Sequence, residues 1–188
     1  VTEQSTNKNE NFIIIGDSAL IKARKDLEVN IPPGGKLSEY IPFYLGPRSP
    51  MLYQIATGYE DVKKFPQEEI VYLISSFEKI KEHGCSFFFT DGHARSATAA
   101  KYNNEKDFDK LDWNVIKATF WKSDESDLRR KEKKQSEFLV KDYVPWTCIE
   151  LVGVYNDNAR EKVLNLARSA GTTVEVKISK AKLYYDHL

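Results

Sequence analysis

An α+β fold is what this sequence predicts, on three observations. Short runs rich in β-branched and aromatic residues recur at Tyr40–Leu45, Glu69–Ser75, Ser86–Thr90, Cys148–Tyr155 and Thr173–Ile178. Segments with helical periodicity or helix punctuation lie between them. The two kinds do not alternate as regular βαβ units, which argues against a wound parallel sheet.

The elements follow in order. The opening residues Val1–Asn11 are polar and read as a loop. Phe12–Ile15 is a short apolar run stopped by Gly16, a strand or a buried loop edge. Asp17 suits a helix cap, and Ala19, Leu20, Ala23 and Leu27 would share one face of a helix over Ser18–Leu27. Pro32-Pro33-Gly34-Gly35 breaks the chain. In the strand Tyr40–Leu45, Pro42 calls for a sheet edge or a bulge, because proline has no N–H for the ladder. Gly46–Pro50 is a turn and Met51–Thr57 opens a helix.

Glu69–Ser75 (EIVYLIS) reads as a buried strand, and Ser76–His83 as a short helix closed by Gly84. Phe87 and Phe89 in the strand SFFFT read as core. Lys106–Ile116 has an amphipathic pattern at Phe108, Leu111, Trp113 and Ile116. Glu132–Lys141 is either helical or the start of a strand, since its periodicity does not separate the two. Ala159–Ala170 is a helix with Val163, Leu164 and Ala167 inward and Gly171 as its stop. No repeat and no long linker divides the chain, so one domain over residues 1–188 is expected.

The totals exclude several classes. With 28 Lys+Arg against 28 Asp+Glu the chain is not a polycation, although a local basic patch suffices for nucleic-acid binding. The two cysteines, Cys85 and Cys148, belong to no Cys/His cluster, which excludes a usual zinc site and suits reduced thiols in the cytoplasm. No apolar run approaches the ~20 residues of a membrane span. There is no Walker A loop, Rossmann glycine fingerprint, GxSxG elbow or metal-binding helix.

Four segments carry the chemistry. In Arg130–Val140 (RKEKKQSEFLV), basic side chains precede the acid Glu137, at the edge of an apolar run. A carboxylate so placed can steady a developing positive charge while cations hold a polyanion nearby. The ordinary reading of such a charge run is the solvated face of a helix. Tyr40–Tyr53 sets aromatics and Arg48 around a proline-braced turn, which suits base stacking beside a phosphate contact or, equally, inward packing. His93 sits where the strand Ser86–Thr90 runs into a polar loop. Arg24 lies in the first helix beside Lys22 and Lys25, with Glu137 its candidate partner.

Together these segments resemble the DarT family of DNA ADP-ribosyltransferase toxins. The resemblance rests on PPGGKLSEYIPFYLGPRSPMLY (Pro32–Tyr53), SFFFTDGHA (Ser86–Ala94), LDW (Leu111–Trp113) and KKQSEFLV (Lys133–Val140), with the aromatic ending Lys182–Tyr185. It implies the ADP-ribosyltransferase fold, a split β-sandwich around an NAD cleft. It also implies transfer of ADP-ribose from NAD, as substrate and without a metal, onto a base of single-stranded DNA, typically thymine. Glu137 falls at the family's catalytic glutamate. Arg24 falls at its catalytic arginine, counting back from the Pro-Pro-Gly-Gly turn.

His93 is implied as a third catalytic residue. Arg24, Tyr44, Leu45 and Met51 are implied in NAD binding. Tyr44, Arg48, His93, Trp121, Arg129, Arg130, Lys133 and Lys134 are implied in DNA binding, within or around the loop Phe120–Gln135. A cognate antitoxin and a monomeric state are expected. The family's first strand, whose His and Thr hold NAD, does not precede Asn11, and Val1 is no natural start; residues before it are expected to lie outside this numbering. Modification of RNA or another acceptor, an inactive nucleic-acid-binding domain and a purely structural interaction domain are the competing readings.

Overall fold

The computed structural model describes residues 13, 15–185 and 188. The expected polar opening and half of the Phe12–Ile15 run lie outside the described residues. Ile13 and Ile15 are in neither strand nor helix. Along the chain come α1 (Ser18–Arg24), β1 (Tyr40–Tyr44), α2 (Pro50–Thr57), β2 (Tyr72–Ile74), α3 (Phe77–Glu82), β3 (Phe87–Thr90) and β4 (Lys101–Tyr102). They are followed by α4 (Trp113–Lys117), α5 (Arg130–Lys133), β5 (Glu137–Lys141), β6 (Leu151–Val154), α6 (Asp157–Ser169), β7 (Glu175–Ile178) and α7 (Lys180–Leu183). The chain forms two compact units, one of Val1–Pro50 with Cys85–Val144, the other of Met51–Gly84 with Pro145–Leu188.

The first unit is built on an antiparallel sheet in the order β1-β5-β3-β4. Pro42 lies on β1, an edge strand, where its missing N–H costs no ladder bond. Directly opposed residues of an antiparallel pair share a face. Tyr44 opposes Glu137, Pro42 opposes Leu139, and Phe88 opposes Leu139 from the other side. That face buries Tyr40, Phe88 and Leu139 against Val29, Leu37 and Ala94. Each such large apolar side chain contributes about 1.5–3 kcal/mol. The opposite face is aromatic: Phe87 stacks on Phe138 at 5.0 Å and Phe89 on Phe108 at 4.4 Å. Phe89 is fully buried, as expected, and Phe87 half-buried.

Asp17 caps α1 by accepting from the amides of Ala19 and Leu20. The helix ends at Arg24, short of the expected Leu27, because Glu28 pairs with Lys36 in an isolated β-bridge that draws the chain out. The Pro32–Gly35 turn so formed is held by the Tyr40 hydroxyl and the Lys141 ammonium, both donating to the Gly34 carbonyl (2.6 and 3.0 Å). The Lys106–Ile116 pattern resolves into a 3₁₀ segment, Glu105–Lys110, followed by α4, with Leu111 and Ile116 buried. The ambiguous Glu132–Lys141 stretch is both things in turn, the end of α5 and then β5.

The second unit carries a three-stranded sheet in the order β2-β6-β7, with β6 and β7 parallel and joined through α6. Asn156 caps α6 by accepting from the Ala159 amide at 2.9 Å. Val163 and Leu164 of α6 pack with Val152, Val154 and Val176 of the sheet. The expected buried strand at Glu69–Ser75 is corrected: Glu69 ends a 3₁₀ turn, and β2 is a short edge strand with Val71 and Leu73 exposed. The aromatic ending has a packing role, for Tyr184 is fully buried and donates to the carbonyls of Ile70 and Gly153. Cys85 and Cys148 are not disulfide-bonded.

Candidate active site

Glu137 is the first residue of β5, the strand flanked by β1 and β3. Its apolar successors, Phe138 to Val140, are all buried and fix the strand. Glu137 is carried into the interior with them and is only 2% exposed. A buried carboxylate must be paired. Arg24 supplies a bidentate grip, Nη1 to Oε1 at 3.1 Å and Nη2 to Oε2 at 2.8 Å. The backbone N–H of Ala94 donates a third bond to Oε1 at 2.9 Å. Oε2 accepts from Arg24 alone among the described residues, which leaves it an open lone pair.

The Asp91–Thr98 loop after β3 delivers that amide. Thr90, fully buried, ties the strand ends together: its hydroxyl accepts from the Glu137 amide at 3.2 Å and donates to the Gly92 carbonyl at 2.6 Å. His93 Nδ1 lies 3.6 Å from Glu137 Oε1. The same nitrogen accepts the Arg95 amide at 3.1 Å, so the imidazole proton sits on Nε2. Burial, with help from Arg24 and Arg95, holds the His93 pKa below its usual value despite the nearby carboxylate. The contact is therefore not a salt bridge at neutral pH. In this arrangement His93 presents an N–H donor through Nε2.

The basic run is corrected as well. Lys134 is 3% exposed, with Nζ donating to the carbonyls of Ile116 (2.7 Å) and Ala118 (2.8 Å). Burial pushes its pKa down to about 8, helped by the Arg48 charge. It braces the chain below the site and cannot track phosphates. Arg129 faces Glu132 and Asp91, Arg130 faces Asp124, and Lys133 faces Asp112 and Asp127. The run is thus largely neutralised by acids of its own neighbourhood.

Tyr44 shares the Glu137 face by register, half-buried, and the Leu45 amide donates to the Ser136 carbonyl. Arg48 stands in the following turn with a left-handed backbone (φ 52°). Gly46 lets that turn approach α4, because a Cβ there would overlap the Ile116 carbonyl oxygen. Trp121 is half-buried beside Phe120, whose ring is 87% exposed. Met51 lies in the second unit at the start of α2, 38% exposed. The residues missed in the sequence are Thr90, Ala94 and Glu132. The first two act through a hydroxyl and a backbone amide and leave no compositional signal. Glu132 was visible as the acid three residues after Arg129.

A shallow pocket of about 390 Å³ opens on this site, lined by Leu20, His93, Arg95, Ser96, Glu132 and Gln135. Among the described residues no group of His, Cys, Asp and Glu could hold a metal, and no helix is long and apolar enough to cross a membrane. The model of the family described as "ssDNA thymidine ADP-ribosyltransferase, DarT" matches residues 2–185.

The chain belongs to the DarT family.

A DNA ADP-ribosyl transferase from Thermus sp. (strain 2.9) is 41% identical over 145 residues, 77% of this chain and 68% of the relative. The structure of Thermus sp. 2.9 DarT in complex with ADP-ribosylated ssDNA matches with a TM-score of 0.84 at 35% identity, covering 92% of this chain and 81% of that one. Thermus sp. 2.9 DarT in complex with NAD+ matches at 0.77 and 36% identity over 84% and 78%. The fold is accordingly the α+β ADP-ribosyltransferase fold of DarT, and the activity class is NAD-dependent transfer of ADP-ribose to single-stranded DNA. A buried carboxylate with one open lone pair, backed by a guanidinium and a neutral histidine donor, suits a donor whose ribose becomes positive as it reacts.

Proposed function

We propose that Glu137, Arg24 and the His93–Ala94 segment form the centre that moves ADP-ribose from NAD to thymine in single-stranded DNA. The observation that carries this reading is the Glu137 carboxylate, buried yet poised through Oε2 to accept one more hydrogen bond. The C–N bond between ribose C1′ and nicotinamide breaks, and its electron pair leaves with the nicotinamide nitrogen, which becomes neutral. Positive charge collects on the ribose ring. Glu137 accepts from a ribose hydroxyl and stabilises that charge, an effect of roughly 3–4 kcal/mol for a single preorganised group.

The thymine nitrogen forms the new bond to C1′ and releases its proton to water. Arg24 remains protonated, so it acts by stabilising the deprotonated ring, not by taking the proton. His93 Nε2 donates to an oxygen of the base or the donor. Tyr44, on the Glu137 face, offers a ring for stacking. An unpaired base spares the few kcal/mol needed to unstack one from a duplex, which favours the single strand. Unchecked modification of DNA bases also calls for a neutralising partner, the cognate antitoxin implied by the family.

Oligonucleotides of one length with thymine replaced in turn by cytosine, uracil or guanine test the acceptor. Transfer to thymine-bearing strands, with fragmentation placing ADP-ribose on the thymine, supports the reading. Equal transfer to strands lacking thymine would refute it.

A further inference from the structure

Glu132 lies five residues before Glu137, on α5, outside the carboxylate's own contacts. Its carboxylate is nonetheless held by three side-chain donors. Oε1 accepts from the hydroxyls of Ser96 (2.9 Å) and Thr98 (2.7 Å), and Oε2 accepts Arg129 Nε at 3.0 Å. Arg129 in turn reaches the Thr98 carbonyl at 3.3 Å and approaches Asp91. The Glu132 side chain also lies across Gly92, where an added Cβ would stand 2.8 Å from Glu132 Cγ. The contacts to Gly92, Ser96 and Thr98, and those of Arg129 to Asp91 and Thr98, fall on the Asp91–Thr98 loop, the segment that carries His93 and the Ala94 amide bonded to Glu137.

We infer that Glu132 is a positioning residue for the transfer reaction, clamping the Asp91–Thr98 loop so that the Ala94 N–H and His93 stay aimed at Glu137. The inference rests on the reading of Glu137 given above. Two features separate a clamp from an ordinary surface ion pair. The carboxylate spans both ends of the loop, reaching Gly92 on one side and Ser96 and Thr98 on the other. The three groups that donate to it come from two different segments, so its loss would free the loop at once. Arg129 holds the carboxyl well below the usual range, at about 2, so the clamp is charged at any working pH.

The experiment measures kcat and KM for NAD with a saturating thymine-containing single strand. The variants are Glu132→Ala, Glu132→Gln, Gly92→Ala, the pair Ser96→Ala with Thr98→Val, and Glu137→Ala as reference. Glu132→Ala should lower kcat on the order of 10–100-fold, as small displacements of preorganised groups do, with KM within about threefold. Glu132→Gln, which keeps an acceptor for both hydroxyls, should recover most of the loss. Gly92→Ala should reproduce it with Glu132 still present. The Ser96/Thr98 pair should lower kcat, and adding Glu132→Ala to it should cost little more, the signature of coupled residues.

If Glu132→Ala proves unstable, the Ser96/Thr98 pair and Gly92→Ala carry the test. Unchanged kcat in all these variants, with Glu137→Ala inactive, would overturn the clamp and leave the site intact. An active Glu137→Ala would overturn the site reading itself. Equal falls in Glu132→Ala and Glu132→Gln, together with matching losses of thermal stability, would also overturn the clamp in favour of a merely structural acid.

Discussion

Arg24 holds both carboxylate oxygens of Glu137 across 113 residues of sequence, at 3.1 and 2.8 Å. The pair joins α1 to β5, an inner strand of its sheet. It also settles the electrostatics of a carboxylate that is 2% exposed. Removing either partner leaves the other charge without its main compensation.

Arg24→Ala should therefore destabilise the protein as well as inactivate it. A buried pair broken on one side costs about 3–5 kcal/mol, and the lower end applies here because Arg24 keeps 17% of its side-chain surface exposed. A fall in Tm of roughly 6–12 °C follows for a chain of this size. Glu137→Gln in the Arg24→Ala background should regain part of the loss, because it removes the uncompensated charge. Calorimetry of the three variants checks this. A loss under about 1 kcal/mol for Arg24→Ala would mean that Arg24 does not compensate the Glu137 charge.

Lys134 predicts a distinct pH signature. Its amine titrates at 10.5 unfolded and is pushed down to about 8 in the fold. Between those values the unfolded chain binds more protons, so this group makes stability rise with pH from about 8 to 10.5. Below about 8 both states hold the proton and the contribution is flat. Lys134→Met should abolish the rise. It should also destabilise by about 2–4 kcal/mol, because the carbonyls of Ile116 and Ala118 lose their donor. Urea midpoints across pH 7–11 for both proteins measure both effects. A wild-type rise that survives in Lys134→Met would assign it to another group.

Glu132 predicts the opposite limb. Its carboxyl, 4.5 unfolded, is lowered to about 2 by Arg129 and by the Thr98 and Ser96 hydroxyls. Its stabilisation is complete above about 4.5 and is lost as pH falls toward about 2. Denaturant midpoints between pH 5 and 2.5 should fall more steeply in the wild type than in Glu132→Gln. Parallel curves would show that the clamp is energetically idle.

The neutralised basic run predicts a modest salt effect. Independent phosphate contacts from all five cations of the run, Arg129, Arg130, Lys131, Lys133 and Lys134, to a single strand would give a slope near −3.5 in log K against log salt, at about −0.7 per contact. Arg129, Arg130 and Lys133 are already faced by acids and Lys134 is buried, so the slope should be shallower than that. Anisotropy titrations of a labelled oligonucleotide at several salt concentrations measure it. A slope of −3.5 or steeper would show that the acids yield their partners to phosphate.

The sequence made legible what local rules control. Asp17, Ser76 and Asn156 cap helices as their residue types allow, Pro42 marks an edge strand, and Gly84 and Gly171 end helices with positive φ. It misled where tertiary context decides. EIVYLIS has the composition of a buried strand, yet its strand lies at an edge of its sheet and shows Leu73 to solvent. Lys133 and Lys134 are identical neighbours in sequence, and only the fold sends one to the surface acids and the other inward. Arg24 and Glu137 were legible as a pair through the family resemblance. The Ala94 amide that completes their site was not, because every residue carries one.

We propose that the Glu137 carboxylate stabilises the ribose charge during transfer. Wild type and Glu137→Gln should be incubated with NAD and a thymine-containing single-stranded oligonucleotide, and the strand weighed by mass spectrometry over time. A gain of one ADP-ribose is expected with the wild type and a rate at least about 100-fold lower with Glu137→Gln, with both proteins folded by circular dichroism. A folded Glu137→Gln that modifies the strand within about threefold of the wild-type rate, a difference under about 1 kcal/mol, would contradict it.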